Sequence, residues 1–209
     1  KRRTNGVANV VQADLYSYSA SNSKLKGVFS AIIDSPLPEG TFMPSYVNQS
    51  GYFLKDVKYD LRKYVKGFNM IGQPTGITSS QIYDEAYIYD ETTSETLAEV
   101  KNSSMENVAY SGFETESKGN WSYDLSHIIQ GGYHGKRSYL LGNSTVLQHG
   151  GLNSNLLYTV TYWIRGHTPI SVTGTQVGYP TPGKIDGEWT YFEHKLLGNT
   201  SITISGDGQ

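Results

Sequence analysis

No cysteine occurs in the 209 residues, which excludes disulfides and thiol chemistry and weakens any reading as a zinc site. Charge is sparse as well. Asp, Glu, Lys and Arg make up 17% of the chain and nearly cancel, at a formal net charge of −2. A nucleic-acid-binding face needs a basic excess to neutralise phosphates, so no nucleic-acid partner is expected. The basic start, Lys1-Arg2-Arg3, reads as solvated. No run approaches the roughly 18–20 apolar residues that span a bilayer, so no membrane span is expected. No signal-peptide pattern is read in the sequence, and residue 1 is Lys rather than an initiator Met, so the chain is expected to be a mature product or a fragment.

Catalytic signatures are missing too. The chain has no Gly-x-Ser-x-Gly elbow, no His-Glu-x-x-His, no phosphate loop and no dinucleotide fingerprint. His127, His134, His149, His167 and His194 are scattered. The acids Asp84, Glu85, Asp90 and Glu91 cluster on a Ser/Thr-rich, turn-like stretch and read as solvated rather than as a paired-acid glycosidase site. The expectation is a protein that is not an enzyme.

What is abundant is tyrosine (17) and glycine (23), an all-β bias in a chain with few helix formers. The clearest pattern is LLYTVTYWIRG, residues 156–166. Leu156, Tyr158, Val160, Tyr162 and Ile164 fall on one face, and Leu157, Thr159, Thr161, Trp163 and Arg165 on the other. A period of two in β-branched and aromatic residues marks a strand with one buried face. The first set is assigned to the core, which turns Trp163 outward. WTYFEHKL, residues 189–196, alternates in the same way. Nearer the start, 7–19 and 25–33 read as a long hairpin around Ser21-Asn22-Ser23, broken afterwards by Pro36 and Pro38. Lys101–Glu106 is polar and aperiodic and is taken as the boundary. The expected organisation is all-β, with irregular strands and hairpins over 1–105 and a jelly-roll β-sandwich over 106–209.

Two stretches resemble known families. The segment Gly67-Phe68-Asn69 through Gly72 to Gln73-Pro74-Thr75-Gly76-Ile77-Thr78 resembles one unit of the YD repeat of Rhs-type proteins. Phe68-Asn69 stand at its Tyr-Asp position, and Tyr87–Val100 is similar to a second, degenerate unit. In physical terms the aromatic packs, Asn69 caps a turn and Gly72 supplies positive φ. Further on, Gly112-Phe113-Glu114, Trp121, Gly135-Lys136-Arg137-Ser138 and the two strands described above follow one another in a familiar order. Carbohydrate-binding-module-like jelly rolls, which are galactose-binding-like β-sandwiches, carry landmarks in this order. The resemblance to Rhs-type proteins implies a secreted or surface-exposed bacterial protein. The resemblance to jelly rolls implies a structural calcium ligated by Glu114, and a closing Ile-Asp-x-Val-type strand. That strand is not found before residue 209, so the sandwich is expected to lack its last strand and to leave an edge unpaired.

Sugar recognition requires flat aromatic faces flanked by hydrogen-bonding groups. Trp163, Arg165, Tyr133, His134 and Tyr179 are the ligand candidates, with Trp121 and Tyr123 also considered and Trp121 and Trp189 assigned to the core. The expected function is a non-catalytic structural or interaction segment of a large extracellular bacterial protein. Its partner would be the rest of its parent chain or a surface assembly. The alternative is a carbohydrate-binding module working through the jelly roll.

Overall fold

The computed structural model describes residues 2–4, 7–43, 45–80, 82–142 and 144–208, with side chains from residue 8 onward. Lys1 and the side chains of Arg2 and Arg3 lie outside the described residues. The protein is all-β, built from antiparallel strands, and its helical elements are single 3-10 turns. The chain divides into two compact units, residues 1–86 and 87–209. The boundary expected at 105/106 therefore falls inside the second unit. Within that unit Ser117 Oγ donates to the Tyr89 carbonyl at 3.1 Å, and Ile88 and Asp90 are both buried.

In the first unit, Asp14–Tyr18 pairs with Leu25–Ala31, which pairs with Tyr59–Phe68, and this strand pairs with Pro74–Ser79. The long strand expected over 7–19 is interrupted at 11–13. Its first part, Val7–Val10, pairs with Arg2–Thr4 and Leu37–Pro38 instead. The turn after Phe68 works through its side chains: Asn69 Oδ1 accepts from the Gln73 N–H at 2.8 Å. Gly72 sits at φ +91°, a conformation that costs glycine little. Val10, Phe42 and Tyr59 form the small core of this unit.

The second unit is β-sandwich-like. One sheet has the order Leu147–Gly150, Ser201–Ser205, Ser171–Val172, and the other Leu157–Arg165, Trp189–Leu197, Thr181–Asp186. Leu147, Val172, Ile202 and Ile204 belong to the same buried cluster as Tyr158, Val160 and Leu196. The alternation expected of 156–166 holds within the strand: Tyr158, Val160 and Ile164 are buried while Leu157, Thr159 and Thr161 are exposed. Leu156 lies before the strand and is exposed. In Trp189–Leu197 the inward set is Thr190, Phe192, His194 and Leu196.

Two assignments change. Asp90 is sealed rather than solvated. Its Oδ1 accepts the N–H groups of Thr92 and Thr93 at 2.7 and 3.0 Å, capping the turn of its hairpin. The Thr93 N–H first, then the Thr115 hydroxyl and the Thr92 N–H, hold its carboxyl below the usual range. Glu85, in the first unit, is also buried. Tyr123, considered as a sugar-stacking ring, belongs to the core, with its hydroxyl 2.9 Å from that of Ser111.

His194 adds a pH dependence. Its ring is 1% exposed, with Nε2 3.0 Å from the Tyr162 hydroxyl and Nδ1 2.8 Å from Thr175 Oγ1. Burial lowers its pKa below the ordinary 6.5. The unfolded chain therefore takes up this proton at a higher pH than the folded one does. Stability is expected to fall as pH drops below 6.5, and the loss continues down to the lowered folded value. The slope approaches about 1.4 kcal/mol per pH unit for one proton. Denaturant melts from pH 7.5 to 5 check this, and His194→Gln should flatten the slope. The lowered carboxyls of Asp90 and Asp124 act in a separate, more acid window, since their unfolded reference is 3.8.

Candidate functional site

The outward face of Leu157–Arg165 carries the site. This strand pairs with Trp189–Leu197 without a register shift, from Leu157 opposite Leu197 to Arg165 opposite Trp189. The pairing sets Trp163 against Tyr191, with ring centroids 5.6 Å apart, edge to face. The Gly-rich loop 131–136 folds over both strands and lays the Tyr133 ring on Trp163 at 3.7 Å, near parallel. His134 packs against Tyr133 at 4.1 Å, and Trp189 stands 6.1 Å from Tyr133. Trp163 is thus turned outward as expected, but it is half-buried under a ring of its own unit.

Polar groups hold this cluster in place. The Tyr133 hydroxyl donates to Asp186 Oδ2 at 2.9 Å, and Lys184 Nζ reaches the same oxygen at 2.9 Å. The hydrogen bond from Lys184, then that from Tyr133, lowers the Asp186 pKa below the usual carboxylate value. Burial first, then the bond to Asp186, raises that of Tyr133. Arg165 meets Glu188 Oε2 through Nη2 at 2.7 Å and Nε at 2.8 Å. Both side chains are exposed, so water screens this pair and its stabilisation is small.

Glu114 anchors the loop from below. Its Oε1 accepts the backbone N–H groups of Lys136 and Arg137, each at 2.8 Å. Gly135 leaves room for the Glu114 carboxyl, which a Cβ at 135 would push aside. Calcium needs several oxygens converging on one point. At Glu114 one oxygen is committed to two N–H donors, and no group of three or more His, Asp and Glu side chains that could hold a metal occurs among the described residues. The residues present do not fit a calcium ion. Glu114→Ala is expected to cost about 1–2 kcal/mol in the loss of these bonds. It should also expose Trp163, which acrylamide quenching of tryptophan fluorescence reads.

Beside the cluster runs a groove of about 610 Å³, within the roughly 300–1,000 Å³ of ligand sites. Tyr158 through Ile164 line it continuously, together with Ala109 to Glu114, Tyr133, His134 and the core residues Leu147 and Ile204. Of the residues singled out from sequence, Tyr133, His134, Trp163 and Glu114 come together on this groove. Arg165 sits one strand position past the lining, paired with Glu188. Tyr179 is not among the lining residues; it precedes a cis peptide to Pro180 in the loop before Thr181–Asp186. Trp189, assigned to the core, instead lines the groove half-exposed. Tyr191, Asp186 and Lys184 were not singled out. The alternation of residues 189–196 already put Tyr191 and Trp189 on one face, and only the strand register was lacking to set Tyr191 opposite Trp163.

Comparison with protein-family models, with curated proteins and with solved structures finds no match.

Proposed function

We propose that the chain is a non-catalytic interaction segment of a large extracellular or cell-surface bacterial protein of Rhs/YD-repeat type. On this reading its second unit is a jelly roll that binds through the groove beside Leu157–Arg165. One observation carries it: a sizeable groove runs along a strand edge, while the aromatics above it cover one another rather than stand open. A non-catalytic role is supported by the engagement of the acids around the groove: Glu114 with two amides, Asp186 with Lys184 and Tyr133, Glu188 with Arg165. A screen of glycosides, esters and peptides tests this, and turnover abolished by a single point mutation would overturn it.

The second reading, a carbohydrate-binding module, draws support from the convergence of Trp163, Tyr133, His134, Trp189 and Tyr191 on one cavity. Sugars stacked on such rings bind at micromolar to millimolar dissociation constants, about −4 to −8 kcal/mol. Soluble glycans titrated against tryptophan fluorescence separate the two readings. A saturable change lost in Trp163→Ala favours the sugar. Under the interaction reading no glycan responds, and Trp163 stays shielded from acrylamide until Tyr133→Ala removes its cover.

A further inference from the structure

We infer that the groove takes an extended peptide segment of a partner protein, added as a further strand against the free edge of Leu157–Arg165. This deepens the interaction reading above and rests on it. Within its sheet the strand stands at one end, with Trp189–Leu197 as its strand neighbour among the described residues. Which backbone groups face outward follows from one bond. The Gly166 N–H donates to the Glu188 carbonyl at 2.7 Å, so residues 166 and 188 form a hydrogen-bonded pair. Such pairs alternate with non-bonded ones in an antiparallel ladder. With the register constant from 157 to 165, Tyr158, Val160, Tyr162 and Ile164 turn their backbone groups toward Trp189–Leu197. Thr159, Thr161 and Trp163 turn theirs the other way. The far side of the ladder agrees: the Lys195 carbonyl, opposite Thr159, accepts from the Gln176 N–H at 2.9 Å.

The outward row of N–H and C=O groups therefore opens on the groove. Among the described residues no backbone bond from Ala109–Glu114, which lines the same groove, reaches it. Unpaired backbone groups along a strand are a template for another strand, and main-chain hydrogen bonds supply the affinity in such additions. From Thr159 to Trp163 the edge runs about 13 Å at roughly 3.3 Å per residue, room for a segment of about five to seven residues.

The same geometry sets the chemistry of the occupant. Alternate side chains of an added strand enter the sandwich beside Leu141, Leu147, Ile202 and Ile204, and those between them face Thr161 and Trp163. Aliphatic residues at alternate positions, separated by polar ones, fit both sides. A second folded copy fits less well, because its own edge would have to share the groove with 109–114 and the loop carrying Tyr133 and His134, which line it.

Amide exchange and a synthetic peptide of alternating threonine and valine, with lysine at each end, test this. In the free protein the amides of Thr159, Thr161 and Trp163 should exchange faster than those of Val160, Tyr162 and Ile164. Saturation with the peptide should slow the first set by at least about tenfold. N-methylation of the peptide's threonines should abolish binding if the strand adds antiparallel, and N-methylation of its valines if it adds parallel. Thr161→Pro removes an outward N–H without touching the ladder to Trp189–Leu197 and should also abolish binding. Equal protection of both amide sets in the free monomer overturns the proposal. So does the absence of binding at millimolar peptide, or equal binding of both N-methylated peptides. Protection of the outward set that grows with protein concentration, in step with dimer formation, overturns it in favour of a second copy. None of these outcomes bears on turnover or on glycan response, by which the broader interaction reading stands or falls.

Discussion

Tyr162→Ala is expected to destabilise the second unit by about 3–5 kcal/mol, whereas Thr161→Ala should cost no more than about 0.5 kcal/mol. The two residues are neighbours on one strand, and only the face differs. Tyr162 packs against the buried cluster between the sheets, while Thr161 is exposed. The tyrosine hydroxyl also accepts the Ile170 N–H at 3.1 Å and stands 3.0 Å from His194 Nε2. Burial pushes the phenol pKa up to about 12, so it stays protonated across the physiological range. Tyr162→Phe separates the two contributions. It keeps the ring and leaves partners inside the sandwich unpaired, for an expected loss of about 1–3 kcal/mol. Urea melts of the three variants check the order, and equal losses for Tyr162→Ala and Thr161→Ala would refute the assignment of faces.

That assignment was legible in the sequence because its cause is local. A strand buried on one face has to alternate, and nothing else in residues 156–166 competes with that pattern. The strand Thr181–Asp186 was not legible for the opposite reason. Every residue in it is exposed and its pairing shifts between Pro182 and Ile185, so no alternation is left to read. The cover on Trp163 was beyond local reasoning as well. It comes from Tyr133, thirty positions earlier in a stretch of glycines and polar residues that carries no period. Asp90 misled because a run of Asp, Glu, Thr and Ser resembles a solvated turn. The turn is real, but Ile88 just before it is buried and takes the hairpin inward. The free edge belongs to a third kind. Which edge of a sandwich stands open depends on sheet order, which no local pattern carries. Ser201–Ser205, the last described strand, occupies the middle of its sheet, and Leu157–Arg165 stands at the end of the other.

Gly119→Ala should be the most damaging glycine substitution in the second unit, at about 3–5 kcal/mol. Gly119 is buried at φ +52°, and a Cβ there would fall on the carbonyl of Tyr110. That is backbone, so no side-chain rotation relieves the collision. The Tyr110 N–H donates to the Gly119 carbonyl at 2.8 Å, and separating the two segments breaks this bond. The segment between them holds Phe113 against Tyr123 and Tyr139 at 5.6 and 5.5 Å, and it also carries Glu114, the anchor of the loop above Trp163. Gly151 provides the control. Its φ is +77°, but a Cβ there meets nothing within 4 Å, so Gly151→Ala should cost only the backbone strain of about 1–2 kcal/mol. A thermal melt gives the difference in stability, and acrylamide quenching adds a readout that backbone strain at Gly151 does not move. Exposure of Trp163 in Gly119→Ala but not in Gly151→Ala would show that the 110–119 loop supports the groove. If both variants lost the same stability, the close approach of Gly119 to Tyr110 would not be what requires glycine there.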